Sequence, residues 1–255
     1  MDVAAAGAGA HRDRLATKGR RLLDSTRAGT PARMRIPPRT YLGSMLIVAH
    51  RSPRTKARCV VAADAGATVF EIDVQIWHGQ LVASHYLPVL GTAIRRDSWR
   101  FVRGWHARRE PLLAHVADLV PPDRVVLLDL KETDPGRRAE MLAAIVATLP
   151  SSGRYLACTP IADDLDVLRA KGFRTWRTIG DRRQLDIVLA GGPLADDAVT
   201  VDHKLLSRAV VDQLHARART VVAWTVNDVR RALWLRDIGV DGVTTDSLDV
   251  MRALG

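Results

Sequence analysis

The sequence predicts a closed barrel of eight parallel β-strands alternating with helices, a single-domain α/β fold of the TIM (β/α)8 kind. Three observations predict it. Short apolar runs alternate with helix-length runs from residue 45 to the C-terminus, and about eight such units can be counted. No Gly-rich phosphate loop follows the first strand, where His50-Arg51-Ser52-Pro53 stands instead, which disfavours an open doubly wound sheet. Finally, His50, Glu71, Asp73, Asp129, Lys131 and Trp224 all fall at or near strand ends, and barrels of this kind place their active sites at the carboxyl ends of the strands.

The elements follow in order. Met45 to His50 is an apolar strand, Lys56 to Ala65 a helix closed by Gly66, and Thr68 to Gln75 the second strand. His78-Gly79 punctuates, and Gln80 to Ser84 extends toward His85. Residues 86–106, with four Arg and two Trp, have no clean period and read as a long loop, a length that in a compact domain tends to serve function. A helix over Pro111 to Val120 is followed by a strand at 124–131 and a helix at 136–148. Further strands are predicted at 154–159, 173–178, 198–202, 219–225 and 241–245, with helices at 163–171, 180–190, 204–217, 227–238 and from Ser247 onward.

Of 255 residues, 47% are hydrophobic, enough for a substantial core. The net charge of +10 is unevenly spread: residues 1–44 hold nine Lys and Arg against three Asp, or +6. That stretch is rich in Ala, Gly, Arg and Pro and lacks aromatics before Tyr41, so it reads as a basic, disordered extension with a helical stretch around Asp13 to Leu23, and residues 45–255 as the folded domain. A solvated tail, or a translation start at Met45, outweighs a weak tether to anionic membrane; nucleic acid is disfavoured as a partner. Cys59 and Cys158 sit in apolar contexts without C-x-x-C spacing and read as reduced core thiols. No transmembrane-length apolar run and no secretory n-region are found, and the expected compartment is the cytoplasm, with a peripheral membrane location as the variant.

Two strands break the apolar pattern in the same way. Glu71 and Asp73 alternate with Phe70, Ile72, Val74 and Ile76, while Asp129 and Lys131 alternate with Val126, Leu128 and Leu130. Successive strand residues face opposite sides, so adjacent strands would converge three carboxylates and one ammonium. Buried together, such charges cost several kcal/mol per ion unless neutralised, and a hard divalent cation suits three carboxylates. The prediction is an oxygen-ligand metal site. A structural ion pair of Glu71 or Asp73 with Arg51 or Lys131 is the plainer alternative.

His50-Arg51, Gly66-Ala67 before Glu71-x-Asp73-Val74, His85 after Gly-Gln-Leu-Val, Asp129-Leu-Lys131, Trp224-Thr-Val-Asn227 and Gly239-Val-Asp-Gly-Val-x-Thr-Asp246 together resemble the glycerophosphodiester phosphodiesterases, from about residue 46 to the end. The resemblance implies a metal-dependent TIM barrel that hydrolyses glycerophosphodiesters such as glycerophosphocholine to glycerol 3-phosphate and an alcohol. Departures are specific: Ser52-Pro53 replaces the usual Gly after His-Arg, the Pro-Glu-Asn-Thr loop is missing, and His85-Tyr86 and Asp129-x-Lys131 stand for His-Asp and Glu-x-Lys. The short first loop and Asp-Leu-Lys are similar to the sphingomyelinase D and phospholipase D branch of the superfamily, which releases a cyclic phosphate from substrates such as lysophospholipids.

Phosphodiester cleavage needs phosphate charge offset, a nucleophile deprotonated and a leaving oxygen protonated. Glu71, Asp73 and Asp129 are the expected ligands of one Mg²⁺ or Ca²⁺, Arg51 and Lys131 the phosphate grips, and His50 and His85 the acid–base pair. His85, lacking the following Asp, also reads as an ordinary loop histidine. Trp224 resembles the family's substrate wall and equally fits plain core. Asn227 and Asp246 read as helix caps, and His78, His106, His115, His203 and His215 as surface or structural residues. The Arg-rich stretch 95–109, with Trp99 and Trp105, reads as a solvated loop rather than a lipid contact. A non-catalytic barrel binding anionic headgroups or nucleic acid remains the alternative outside catalysis.

Overall fold

A computed structural model describes residues 45–51, 53–88, 94–96, 101–103, 111–151 and 153–255. The expectations for the basic extension, for Trp99 and Trp105 and for His106 lie outside these residues.

The strands are β1 (Leu46–Ala49), β2 (Val69–Trp77), β3 (Gln80–Ala83), β4 (Leu87–Pro88), β5 (Ile94–Arg96), β6 (Phe101–Arg103), β7 (Val125–Leu130), β8 (Tyr155–Thr159), β9 (Arg174–Ile179), β10 (Ala198–Asp202), β11 (Val221–Trp224) and β12 (Gly242–Thr245). Around them run α1 (Lys56–Asp64), α2 (Leu113–Ala117), α3 (Pro135–Thr148), α4 (Ala162–Ala170), α5 (Arg182–Ala190), α6 (Arg208–His215), α7 (Val229–Asp237) and α8 (Leu248–Leu254). Strands β1, β2 and β7 to β12 pair in parallel in that order, and β1 pairs with both β2 and β12, so the sheet closes into the predicted eight-stranded barrel.

Strand periodicity divides the core into two layers. Val48, Val69, Val125, Leu127, Leu156, Cys158, Trp176, Ala198 and Val222 fill the barrel interior. Their neighbours Ile47, Phe70, Ile72, Val126, Leu128, Ala157 and Val199 face outward and pack under the helices. Both cysteines are buried, Cys158 inside the barrel and Cys59 on α1. At the β1–β12 seam, Gly242 leaves no room for a side chain: a Cβ would stand 2.6 Å from the Leu46 carbonyl oxygen and 2.8 Å from its Cβ.

Helix starts follow local capping chemistry. Thr55, Asp134, Asp181, Ser207, Asp228 and Ser247 each accept a hydrogen bond from a backbone N–H of the first turn, offsetting donors the helix leaves unpaired. His78 and Gly79, both at positive φ, form the two-residue turn that folds β3 back antiparallel on β2.

Three elements differ from expectation. Within 86–106, β4, β5 and β6 form a separate three-stranded antiparallel sheet, its strands too short to print a period on the sequence. The helix expected over 111–120 is shortened to α2, because Pro111 accepts from Ala83 N–H and Leu112 bridges to Val82 as extended chain. The helix expected over 204–217 is a 3₁₀ turn, His203–Leu205, followed by extended Leu206 and then α6, with Asp202 and Ser207 capping the two pieces separately.

Candidate active site

The register of the barrel assembles the charged residues at the carboxyl ends of β1, β2, β7 and β12. Asp73 on β2 lies directly across from Asp129 on β7, with Glu71 one inward step below. Carboxylate oxygens of Glu71, Asp73 and Asp129 all lie within 4.8 Å of one another. Glu71 and Asp73 are buried, 3% and 6% exposed, and Asp129 is half-buried. Convergence of three carboxylates beside Lys131, inferred from alternation alone, is therefore present.

Cations partly offset them. Lys131 Nζ is 2.5 Å from Asp129 Oδ2 and 3.2 Å from Asp73 Oδ1, while Arg51 Nε is 2.9 Å from Asp73 Oδ2. Arg51 sits at φ 46, a left-handed conformation that costs a non-glycine residue on the order of 1 kcal/mol. From it the Arg51 N–H donates to Glu71 Oε2 at 2.8 Å. The ion pairs of the plainer alternative thus exist at Asp73. They do not satisfy Glu71, whose Oε1 is buried without a hydrogen-bond partner.

Electrostatics sharpen the difference. Burial, followed by the charges of Asp73 and Asp129, pushes the Glu71 carboxyl well above its ordinary range. Burial also works to raise Asp73, but Lys131 and Arg51 outweigh it and hold that carboxyl low. Burial disfavours the Lys131 ammonium, yet Asp129, Asp73 and Glu71 overcome this and keep it charged. Once Glu71 gives up its proton, three carboxylates face two cations and the site is one positive charge short, with Glu71 Oε1 the unpartnered oxygen. A divalent cation fits that site, and the oxygen donors suit Mg²⁺ or Ca²⁺. Cys158, across from Asp129 on β8, is no thiolate competitor, since burial and then the Asp129 charge push its thiol up.

His50 continues β1 opposite Asp246, which continues β12. Its backbone N–H donates to the Thr245 carbonyl, and its Nδ1 is 3.1 Å from both oxygens of Asp246. Asn227 holds that carboxylate in turn: its Nδ2 donates to Asp246 Oδ2 at 3.2 Å, while its Oδ1 accepts from Asp246 N–H and Thr245 Oγ1. The hydrogen bond from His50 is the main cause holding the Asp246 carboxyl low. Asn227 and Asp246 are therefore not the helix caps they resemble; Asp228 and Ser247 cap α7 and α8. The His50–Asp246–Asn227 chain went unread because Asx residues just before a helix carry the signature of a cap.

His85 follows β3. Gln75, buried on β2, donates from Nε2 to the carbonyls of Ser84 and His85 at 3.2 and 2.7 Å, and the His85 ring lies 4.5 Å from that of Tyr86. His85 lines a cavity of about 640 Å³ with Arg51, Glu71 and Asp73, whereas His50 lines a second one with Asp246. Arg51 and Arg54 border both, so the two histidines stand on either side of them. His115, read as a surface residue, also borders the His85 cavity. Trp224 ends β11 half-buried in register with Asp202, its ring against Gly180, where a Cβ would meet Trp224 Cζ2 at 3.7 Å.

Fold and site together define a (β/α)8 barrel with a buried acidic cluster flanked by cations and a carboxylate-anchored histidine at the carboxyl ends of its strands. Residues 179–250 match the model of the glycerophosphoryl diester phosphodiesterase family. Solved structures agree on the fold. One is an Oleispira antarctica phosphodiesterase in complex with the product sn-glycerol-3-phosphate, 19% identical, with a TM-score of 0.63 over 82% of this chain and 96% of that one. Another is the Thermotoga maritima glycerophosphodiester phosphodiesterase, 20% identical, with a TM-score of 0.60 over 83% and 98%. A third, from Parabacteroides distasonis, is 18% identical, with a TM-score of 0.60 over 82% and 96%. No curated protein matches the chain.

Proposed function

We propose that this chain hydrolyses glycerophosphodiesters to glycerol 3-phosphate and an alcohol. One observation carries the reading: Glu71, Asp73 and Asp129 converge within 4.8 Å at the barrel mouth, with Glu71 Oε1 left in need of a cation. The family match over residues 179–250 and the product complex of the Oleispira antarctica structure support it. Glu71, Asp73 and Asp129 would hold one Mg²⁺ or Ca²⁺, which supplies positive charge to the non-bridging phosphate oxygens.

The chain's own groups divide the remaining work. Arg51 offers a planar fork and Lys131 a point charge to the phosphate as it enters. His50, with Nδ1 held by Asp246, has Nε2 left for the substrate, and takes a proton from the attacking water or returns one to the leaving oxygen. His85 carries the complementary transfer, with its backbone fixed by Gln75. Trp224 walls the substrate side. Residues 45–255 suffice for this chemistry, and the basic extension serves at most as a weak contact with anionic membrane. Two buried cysteines suit a cytoplasmic setting, and no helix of the described residues is long and apolar enough to cross a membrane.

The test follows glycerol 3-phosphate release from glycerophosphocholine with Mg²⁺, with Ca²⁺ and with EDTA. EDTA and Glu71→Gln should each abolish turnover, and His50→Ala and His85→Ala should each lower kcat by about 10²- to 10⁴-fold. Turnover that survives EDTA and Glu71→Gln contradicts the reading.

A further inference from the structure

The cavity beside His85 carries more positive charge than the acidic cluster uses. Its volume of about 640 Å³ is ordinary for a small-molecule site. Glu71, Asp73 and Arg51 line it, and so do Arg54 and His115, to which hydrolysis assigns no part. Arg54 comes from the loop between β1 and α1, just before the capping Thr55, and His115 from α2. Other arginines near the strand ends are matched: Arg51 pairs with Asp73 and Arg137 with Glu132. Among the described residues the Arg54 guanidinium has no carboxylate or carbonyl partner, and the first turn of α1 holds no acidic residue to supply one. Tyr86, which also lines the cavity, stands where the family motif has Asp, so the wall there is uncharged.

We infer that Arg54, with His115 as a hydrogen-bond donor on the same cavity, is a specificity residue that recognises a second anionic group, a carboxylate or a phosphate, on the alcohol arm of the phosphodiester. This rests on the phosphodiesterase reading of the site. Charge balance leads there. A divalent cation with Arg51 and Lys131 brings four positive charges against the carboxylates of Glu71, Asp73 and Asp129, and the single charge of a phosphodiester closes that balance. Arg54 lies outside it. In the adjoining His50 cavity the one carboxylate, Asp246, is held by His50 and Asn227 and matched in number by Arg58. Because Arg54 lines both cavities, it reaches the ground between the two acid–base residues, where the alcohol arm must pass. Its planar fork suits a carboxylate or a phosphate equally, whereas an arm ending in a cation would meet like charge.

The experiment uses the full chain and two matched pairs of phosphodiesters. Glycerophosphoinositol with its 4-phosphate tests a phosphate on the arm, and glycerophosphopropanol with the 3-hydroxypropionate analogue tests a carboxylate. Product release gives kcat/KM for the wild type, and titration calorimetry on His50→Ala gives Kd, both with Mg²⁺ present. The inference expects the anionic member of at least one pair to be favoured about five- to tenfold, by a margin that shrinks as salt is added. Arg54→Gln should remove that preference, His115→Ala should reduce it, and Arg54→Lys should keep part of it. Arg219→Gln, an exposed arginine at the amino end of β11, should leave it in place. A ratio near one in both pairs, or an Arg54→Gln protein that loses charged and uncharged members equally, overturns the inference even if every substrate is hydrolysed. A preference in Kd that disappears with Arg54→Gln, without turnover of any substrate, would uphold the recognition of the arm and sink the hydrolase reading instead.

Discussion

At the scale of single residues, Glu71 and Asp246 carry the account. Glu71 is raised above the ordinary carboxylate range by burial and by its two acidic neighbours. In the folded, metal-free protein it therefore keeps a proton at pH values where the unfolded chain has lost it. The folded state then binds more protons, so Glu71 takes away stability as pH rises from the ordinary carboxylate range toward its elevated value. A divalent cation must expel that proton. Calorimetry of Mg²⁺ or Ca²⁺ binding in two buffers of different ionisation enthalpy should show proton release, with affinity rising with pH; binding heats that are the same in both buffers would contradict this. Asp246 makes the opposite case, a carboxylate held low by His50. Asp246→Asn should reduce kcat, by less than the roughly 10²- to 10⁴-fold of losing His50 itself, with little change in melting temperature. Ser247→Ala should do the reverse, costing about 1 kcal/mol of stability through the lost α8 cap while leaving kcat alone. Sequence reasoning took Asp246 for the cap because the two roles differ only in where the side chain points, and that depends on β1 and β12 being neighbours, residues 50 and 246 being far apart in the chain.

Among the elements, the strands were legible where a buried interior enforces alternation. Glu71 and Asp73 within β2, and Asp129 within β7, stood out because they are the only charged residues of those strands, Gln75 being the one other polar residue. The failures lie where periodicity has no room to develop. Strands β4, β5 and β6 span two or three residues each, α2 spans five, and the split between Lys204 and Arg208 comes from two successive caps inside what otherwise reads as one helix. The seam of the barrel is the most exposed to a single change. Gly242→Ala would place a methyl 2.6 Å from a backbone oxygen that cannot swing away. The expected cost is about 1–3 kcal/mol, read as a lower urea midpoint with an unchanged slope. A midpoint equal to wild type would show that β1 and β12 can separate without penalty.

For the whole molecule, charge and chemistry separate along the chain. The net charge of +10 falls to +4 when residues 1–44 are removed, while every residue assigned to the site lies beyond them. Deleting that segment should leave kcat/KM and melting temperature unaltered and weaken salt-sensitive adsorption to anionic vesicles; a loss of turnover would place part of the active machinery in the extension. The barrel's overall class was readable from the alternation of elements, but the choice of substrate was not, because it depends on which side chains from distant loops share a groove. The most direct test of the central claim is phosphorus NMR of glycerophosphocholine turnover in ¹⁸O-enriched water with Mg²⁺ or Ca²⁺ present. The account predicts a phosphomonoester resonance carrying the isotope shift of one incorporated ¹⁸O, absent with EDTA. A cyclic phosphate free of label, or product formation indifferent to EDTA, would contradict it.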